Sequence, residues 1–136
     1  MTEQRTLASP SSELMGVKSV DYDRDTGVAT MHFDVPEVFA SPRGFVQGGL
    51  IGGFLDEVMG AAAFGYSQNR LLPLNLEMSM SYLRPVPLGQ LVGKAQVVKM
   101  GRNVVFVEGE LQDMQGVTLV RSTTTALLTG IPDGKV

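Results

Sequence analysis

The segment that decides the fold is residues 44–63, which read GFVQGGLIGGFLDEVMGAAA. Its apolar residues recur at helical spacing, with Ile51, Leu55 and Val58 on one face at ~100° per residue. On a helical wheel, Asp56 lies on the face opposite these apolar residues. The small residues within about 60° of it are Gly49, Gly52, Gly53, Gly60 and Ala63. The sequence therefore predicts a helix with one buried apolar face and one carboxylate in a nearly bare stripe.

A helix face made of these small residues is costly, because each interior Gly weakens a helix by about 0.8–1 kcal/mol relative to Ala. Two explanations remain open: another backbone packs closely against the stripe, or a thin ligand passes over it and meets Asp56. Packing alone does not explain a lone acid there, so we expect a functional role for Asp56. Glu57 lies ~100° around the helix and is expected to be a structural partner for a Lys or Arg.

The start of this helix is a second candidate site. The backbone N–H groups of Gly48 and Gly49 have no intrahelical partner, and the helix dipole adds about half a positive charge there. Such an end suits a polarised carbonyl oxygen or an oxyanion. Gly48 and Asp56 are eight residues apart, or ~12 Å along one axis, whereas groups acting on one carbonyl must converge to about 3 Å. Two antiparallel copies of the helix would meet this requirement, which predicts a symmetric homodimer with shared active sites.

Composition narrows the class of protein. A chain of 136 residues is long enough for one domain with its own core. The net charge of −3 argues against nucleic acid as a partner, and the absence of Cys excludes disulfides and thiolate chemistry. A single His argues against a His-rich metal site and a Ser/His/Asp triad. With no apolar run near ~20 residues and no signal peptide, we expect a cytoplasmic protein that does not enter membranes.

The rest of the chain reads as strands, at residues 14–22, 28–35, 74–83, 90–100, 103–112 and 117–128. Because the single long helix is apolar over most of its circumference, we expect a curved antiparallel sheet to wrap around it in an α+β roll. The predicted domain covers residues 14–129. A flexible N-terminal tail or short leading helix at 1–13 and a C-terminal tail at 130–136 flank it.

Two strands carry polar residues of interest. In residues 28–35 the apolar side chains alternate inward, which places His32 on the other face, in solvent or at an interface. Residues 74–83 also alternate, with Leu74, Leu76, Met78, Met80 and Tyr82 predicted on one face and Asn75, Glu77, Ser79 and Ser81 on the other. That polar face is either plain solvent surface or the polar wall of a site, with Asn75 nearest the helix end.

With these features the chain resembles the hotdog-fold thioesterases, in the PaaI-like branch related to 4-hydroxybenzoyl-CoA thioesterase, over about residues 17–128. The segments that carry the resemblance are GFVQGG at 44–49, LDEVMG at 55–60, YLRP at 82–85 and GR at 101–102. The resemblance implies a hotdog fold, an antiparallel sheet wrapped around one long central helix. It also implies dimers, often dimers of dimers, that hydrolyse acyl-CoA thioesters without a metal or other cofactor.

The resemblance also implies roles for individual residues. The N–H of Gly48 would polarise the thioester carbonyl, and Asp56 of the neighbouring subunit would act as general base on water or as nucleophile. Asn75 matches a strand position where related enzymes place a small polar residue that positions water. The candidates for binding substrate are Ser41, Gly49, Glu57, Arg84 and Arg102, of which the two Arg would meet CoA phosphates.

Two departures from the family pattern bear on activity. Gln47 stands where the family usually has His, and Gln cannot exchange a proton near neutral pH. Activity survives if this position only orients the loop or hydrogen-bonds the thioester, and falls if it carries a proton to the leaving thiolate. Ser41, a shorter donor, stands where many members have Asn or Gln.

The leading interpretation is an acyl-CoA thioesterase. The alternatives are a non-catalytic acyl-CoA-binding hotdog protein and a hydratase or dehydratase, which would need a catalytic His beside the acid. The predicted strand places His32 on the wrong element for that role.

Overall fold

The computed structural model describes residues 2–5 and 9–132, with side chains from residue 9 onward. Its elements in chain order are β1 (Thr2–Arg5), α1 (Pro10–Leu14), β2 (Val17–Asp23), β3 (Val28–Val35), α2 (Gly48–Tyr66), β4 (Leu71–Tyr82), β5 (Gly89–Met100), β6 (Val104–Gln112) and β7 (Thr118–Gly130). In the described part of the chain the strands form one antiparallel sheet in the order β1-β2-β3-β5-β6-β7-β4. Helix α2 packs against this sheet, so the predicted hotdog fold is confirmed.

Helix α2 is held by an apolar core. Phe54 and Leu55 are fully buried, and the Phe54 ring packs against Phe33 of β3 and Phe39, with ring centroids 5.3 and 5.4 Å away. Each such buried side chain stabilises the fold by about 1.5–3 kcal/mol. Beneath the helix, Gly93 and Gly109 have no side chains, and a Cβ atom on Gly109 would stand 2.8 Å from Met59 Cγ. The sheet can therefore approach α2 closely along β5 and β6.

A close contact near the end of α2 gives a stability prediction. A Cβ atom on Gly65 would stand 2.3 Å from Cδ2 of the buried Tyr22 ring. Although Ala favours helix over Gly by about 1 kcal/mol, this overlap must be relieved by moving a packed ring. We expect Gly65→Ala to lower the free energy of unfolding by about 1–3 kcal/mol, measured by urea denaturation. Unchanged or higher stability would show that Tyr22 moves without cost.

The N-terminal segment contains a short helix, one of its two expected forms, and a strand that was not expected. The described part of residues 1–13 forms β1, which pairs with β2, and most of α1, which begins with Ser9 as N-cap and Pro10 in the first turn. Leu14, predicted to start a strand, is the last residue of this helix. Strand β7 continues to Gly130, and residues 131–132 follow without regular structure. Residues 1, 6–8 and 133–136 of the predicted tails lie outside the described residues.

Strand β4 forms one edge of the sheet and departs from strict alternation. Its pairing with β7 shifts register between Asn75 and Glu77, which leaves Leu76 as an extra residue in a β-bulge. Asn75 and Met78 consequently both face α2, whereas Leu74 and Leu76 are 58% and 61% exposed. The predictions that these two leucines share the Met78 face and that Asn75 lies on the opposite face are therefore wrong.

Candidate active site

One face of α2 runs along β4. Residues four apart on a helix lie on the same face. Along this face of α2, every fourth residue contacts one residue of β4. The pairs are Gly48 with Tyr82, Gly52 with Met78, Asp56 with Asn75, and Gly60 with Pro73. We call the four α2 residues, Gly48, Gly52, Asp56 and Gly60, the glycine stripe. Asp56, which is exposed, is its one member with a functional side chain.

Side chains pack closely against part of the predicted bare surface. A Cβ atom on Gly53 would stand 3.2 Å from Met15 Sδ, and one on Gly52 would stand 3.2 Å from Met78 Cε. The close-packing explanation therefore holds for these two positions, whereas Gly49 is exposed. Asp56 is also exposed, and for this carboxylate the functional explanation remains.

Asp56 is hydrogen-bonded to strand β4. Asn75 Nδ2 donates to Asp56 Oδ1 at 2.5 Å, so the structure brings together two of the predicted catalytic residues. Asn75 Oδ1 accepts in turn from Thr124 Oγ1 of β7 at 2.8 Å. Thr124 was not among the residues predicted from the sequence. A signal was available, since Ser122 and Thr124 put hydroxyls into the inward phase of β7, where the other residues are apolar.

The start of α2 is capped by Gln47. Its Oε1 accepts from the Leu50 N–H at 3.0 Å, as an N-cap side chain does. Tyr82 Oη donates to the Gly48 carbonyl oxygen at 2.9 Å, which joins the end of β4 to the first helical turn. Within residues 9–132, no hydrogen bond reaches the exposed N–H groups of Gly48 and Gly49. These two donors are therefore free to meet a carbonyl oxygen.

Glu57 points away from the glycine stripe toward α1. Among the described residues its hydrogen-bond partner is Ser12, whose Oγ donates to Glu57 Oε2 at 3.0 Å, rather than the predicted Lys or Arg. Burial raises the pKa of Glu57 above its ordinary value, the Ser12 hydrogen bond lowers it, and the nearby Asp56 charge raises it further. The structure thus gives Glu57 a contact that holds α1 on α2 and does not place it beside Asn75.

The raised pKa of Glu57 has a consequence for stability. Because the folded protein binds this proton more tightly than the unfolded chain does, stability falls as the pH rises from the ordinary carboxyl range through the raised pKa. We expect Glu57→Gln, which keeps an acceptor for Ser12, to raise the free energy of unfolding at pH 7–8 by less than about 1 kcal/mol, since water screens the exposed part. This increase in the free energy of unfolding should vanish below about pH 4.

Chemical denaturation across pH 4 to 8 measures this effect. Glu108→Gln, the same substitution at an exposed position of β6, is measured beside it as the control. A destabilised Glu57→Gln protein at neutral pH would contradict the assignment.

The predicted substrate-binding residues lie at two ends of the sheet. Ser41 is in the turn before α2, where its N–H donates to the Phe45 carbonyl oxygen at 2.7 Å. Arg84 follows β4 at the same end, and its backbone N–H donates to the Leu119 carbonyl oxygen at 3.0 Å. Arg102 is in the β5–β6 turn, at the far end of the sheet. A single chain therefore brings Ser41 and Arg84 to the start of α2 but not Arg102.

The outer face of the sheet holds other features. A cavity of about 550 Å³ lies there, lined by residues that include Ser79, Lys94, Glu108 and Arg121 and none of the predicted site residues. His32 is also exposed on this face, with Nδ1 3.3 Å from Ser19 Oγ, as the strand pattern predicted. It is separated from Asp56 by the sheet, so the two cannot act on one substrate within a chain.

The antiparallel sheet packed against the single long helix α2 defines a hotdog-fold protein. Residues 43–120, more than half of the chain, match the thioesterase superfamily, and the chain belongs to that family. Among the curated proteins, none matches this sequence.

Solved structures give the same fold. A phenylacetic acid degradation-related protein from Ralstonia eutropha is 29% identical, with 90% of this chain and 92% of that chain covered and a TM-score of 0.78. The E. coli PaaI protein from the phenylacetic acid degradation operon is 18% identical, covering 90% and 86%, with a TM-score of 0.77. A Streptococcus mutans protein bound to acetyl CoA is 21% identical, covering 85% and 88%, with a TM-score of 0.71.

Two further observations concern the described residues only. None of their helices is long and apolar enough to cross a lipid bilayer. Their His, Asp and Glu side chains form no group of three or more that could hold a metal ion.

Proposed function

We propose that this protein is an acyl-CoA thioesterase that works as a homodimer with shared active sites. The observation that carries the proposal is the exposed Asp56–Asn75 pair, two helical turns from the free N–H groups of Gly48 and Gly49. Family membership supports thioester hydrolysis. The acetyl CoA in the Streptococcus mutans structure supports a CoA thioester as the substrate class.

The free edge of the sheet supports the dimer. Strand β4 is twelve residues long and presents Leu74 and Leu76 to solvent, while Tyr82 and Leu83 add further exposed apolar surface at its end. An unpaired edge with such side chains is a ready surface for a second chain. Antiparallel pairing of two copies would close the ~12 Å between Gly48 and Asp56.

The proposed two-fold dimer also accounts for the positions of Gly52, Arg84 and Arg102. With Asp56 against the partner's Gly48, Gly52 lies midway and sits at the symmetry axis, where a side chain would keep the helices apart. The same rotation carries the partner's Arg102 from the far end of the sheet toward Arg84. Both arginines could then meet the phosphates of one CoA. Pairing of two such dimers is part of the same proposal.

The proposed reaction uses these groups directly. The thioester carbonyl oxygen accepts from Gly48 N–H of one subunit, and the helix dipole favours the negative charge that develops on it. Asp56 of the other subunit takes a proton from water, whose oxygen bonds to the carbonyl carbon, or attacks that carbon itself to form an anhydride that water then hydrolyses. The C–S bond breaks, and the products are a carboxylic acid and free CoA thiol.

Gln47 fits this mechanism as a helix cap rather than as a proton carrier. Its Oε1 is already bonded to the Leu50 N–H, which fixes the first turn of α2 and hence the direction of the Gly48 donor. A thiol of pKa ~8.5 leaves as a thiolate without an acid. The contact is therefore compatible with turnover despite the change from His to Gln, and a module that only binds acyl-CoA remains the alternative.

One pair of measurements tests the proposal. Wild-type protein is given a panel of aromatic and aliphatic acyl-CoA substrates, and free thiol release is followed beside calorimetric binding. We expect catalytic release of thiol from at least one substrate class. Binding of acyl-CoA without thiol release would instead identify a binding module, and neither binding nor release would reject both functions.

A further inference from the structure

We propose that Thr124 is a positioning residue, whose hydroxyl fixes the Asn75 amide in the orientation that holds Asp56. This inference rests on the proposed function of Asp56. Thr124 does not reach the substrate itself, since it lies behind Asn75 on β7 and is 6% exposed.

The hydrogen-bonding capacities of the three groups allow one arrangement. A carboxylate only accepts, so Asn75 must turn its Nδ2 toward Asp56. Its Oδ1 then points the other way, where it needs a donor, and Thr124 Oγ1 lies 2.8 Å from it. With the amide reversed, its oxygen would face Asp56 and two acceptors would repel each other. The Asp56 carboxylate thus sets the amide orientation, and the Thr124 hydroxyl stabilises it by donating to Asn75 Oδ1.

The same hydroxyl also spans the bulge in β4. Thr124 Oγ1 lies 3.1 Å from the Glu77 carbonyl oxygen, on the other side of Leu76 from Asn75. Bulges turn side chains toward a new face, and this one turns Asn75 toward α2. One buried side chain therefore contacts both sides of the irregularity that brings Asn75 to the site.

Removal of this hydroxyl should affect turnover more than binding. Asn75 would keep its place on β4 but lose the contact that fixes its amide, so Asp56 would be less well oriented for the reacting carbonyl. We expect Thr124→Val to lower kcat about tenfold, as for the loss of one hydrogen bond to a buried group, with KM changed less than about twofold. Thr124→Ser, which restores the hydroxyl, should keep kcat within about threefold of wild type.

A matched control separates positioning from general weakening of the sheet. Thr129, also on β7, donates to the Leu72 carbonyl oxygen of β4 at 2.8 Å and has no contact with Asn75. Thr129→Val should therefore keep wild-type kcat. Adding Thr124→Val to Asn75→Ala should cause no further loss, because the two residues act in one path. Equal kcat for the two valine variants, or losses that multiply in the double variant, would overturn the proposal.

A measurement without substrate keeps this inference distinct from the proposed function. The side-chain amide resonances of Asn75 in the NMR spectrum should move in Thr124→Val and stay near their wild-type positions in Thr124→Ser and Thr129→Val. Should the valine variant not fold, Thr124→Ala serves the same comparison. Unmoved resonances would reject the role of Thr124. Moved resonances in a protein that hydrolyses no thioester would reject the function and retain the contact.

Discussion

Asp56→Asn is expected to lower kcat by at least about a hundredfold, in the range of a lost general base. Asn keeps the size of the side chain but cannot accept a proton from water or attack a carbonyl as a nucleophile. Because Asp56 is exposed and contributes no packing to the core, its replacement should leave the fold intact.

Thiol release under saturating acyl-CoA measures the effect, with circular dichroism and thermal melting as checks on folding. Asn75 offers its amide to position 56, and an Asn there can accept through its own oxygen. The variant therefore removes the ability of Asp56 to act as base or nucleophile while keeping the hydrogen bond from Asn75. Turnover near the wild-type rate would rule out Asp56 as base and as nucleophile.

Gly48→Pro should cause a comparable loss, about a hundred- to a thousandfold in kcat, because it deletes one donor to the developing oxyanion. Proline is well tolerated at this position. Gly48 is the first residue of α2, where proline is common, and Gln47 before it is already extended at φ −63° and ψ 131°. A Cβ atom on Gly48 has no neighbour closer than 4.0 Å, so the substitution removes an N–H group with little other change.

Mixing the two inactive variants tests whether the sites are shared. In a heterodimer of Asp56→Asn and Gly48→Pro chains, one site carries both defects and the other combines the intact Asp56 with the intact Gly48. After co-refolding of equal amounts, half of the dimers are mixed and half of their sites are intact, so activity should return to about a quarter of wild type. Each variant refolded alone is the control.

The outcome of mixing is decisive for the architecture. Sites contained within one chain would give no recovery, since every site would keep a defect. Recovery without a dimer in sedimentation analysis would also contradict the shared-site model.

The parts of the fold with strong periodicity were predictable. The α2 helix runs from Gly48 to Tyr66 and includes most of the segment 44–63 that was predicted to form it, because its apolar face recurs over many turns. Strand β3 covers 28–35 as predicted, with alternate residues buried, because each of its side chains has one clear face. In both elements the pattern is long enough to show which residues face the core as well as whether the element is a helix or a strand.

The parts that depend on a single contact were not predictable. The bulge at Leu76 adds one residue to β4, although neither of its neighbours in the sequence is Gly or Pro, and it moves Asn75 to the α2 side. Likewise, the Ser12 contact of Glu57 and the Met15 contact at Gly53 join segments about 40 residues apart. Local spacing carries no information on such partners.

The irregular edge strand has a further consequence for handling the protein. In a single chain β4 offers unpaired backbone groups beside exposed leucines, and surfaces of this kind promote aggregation. Pro73 lacks an N–H and the extra residue at Leu76 breaks the even row of donors, so uncontrolled strand addition is interrupted at two points. Substitutions that straighten this edge would therefore raise aggregation during expression, even where the folded protein gained stability.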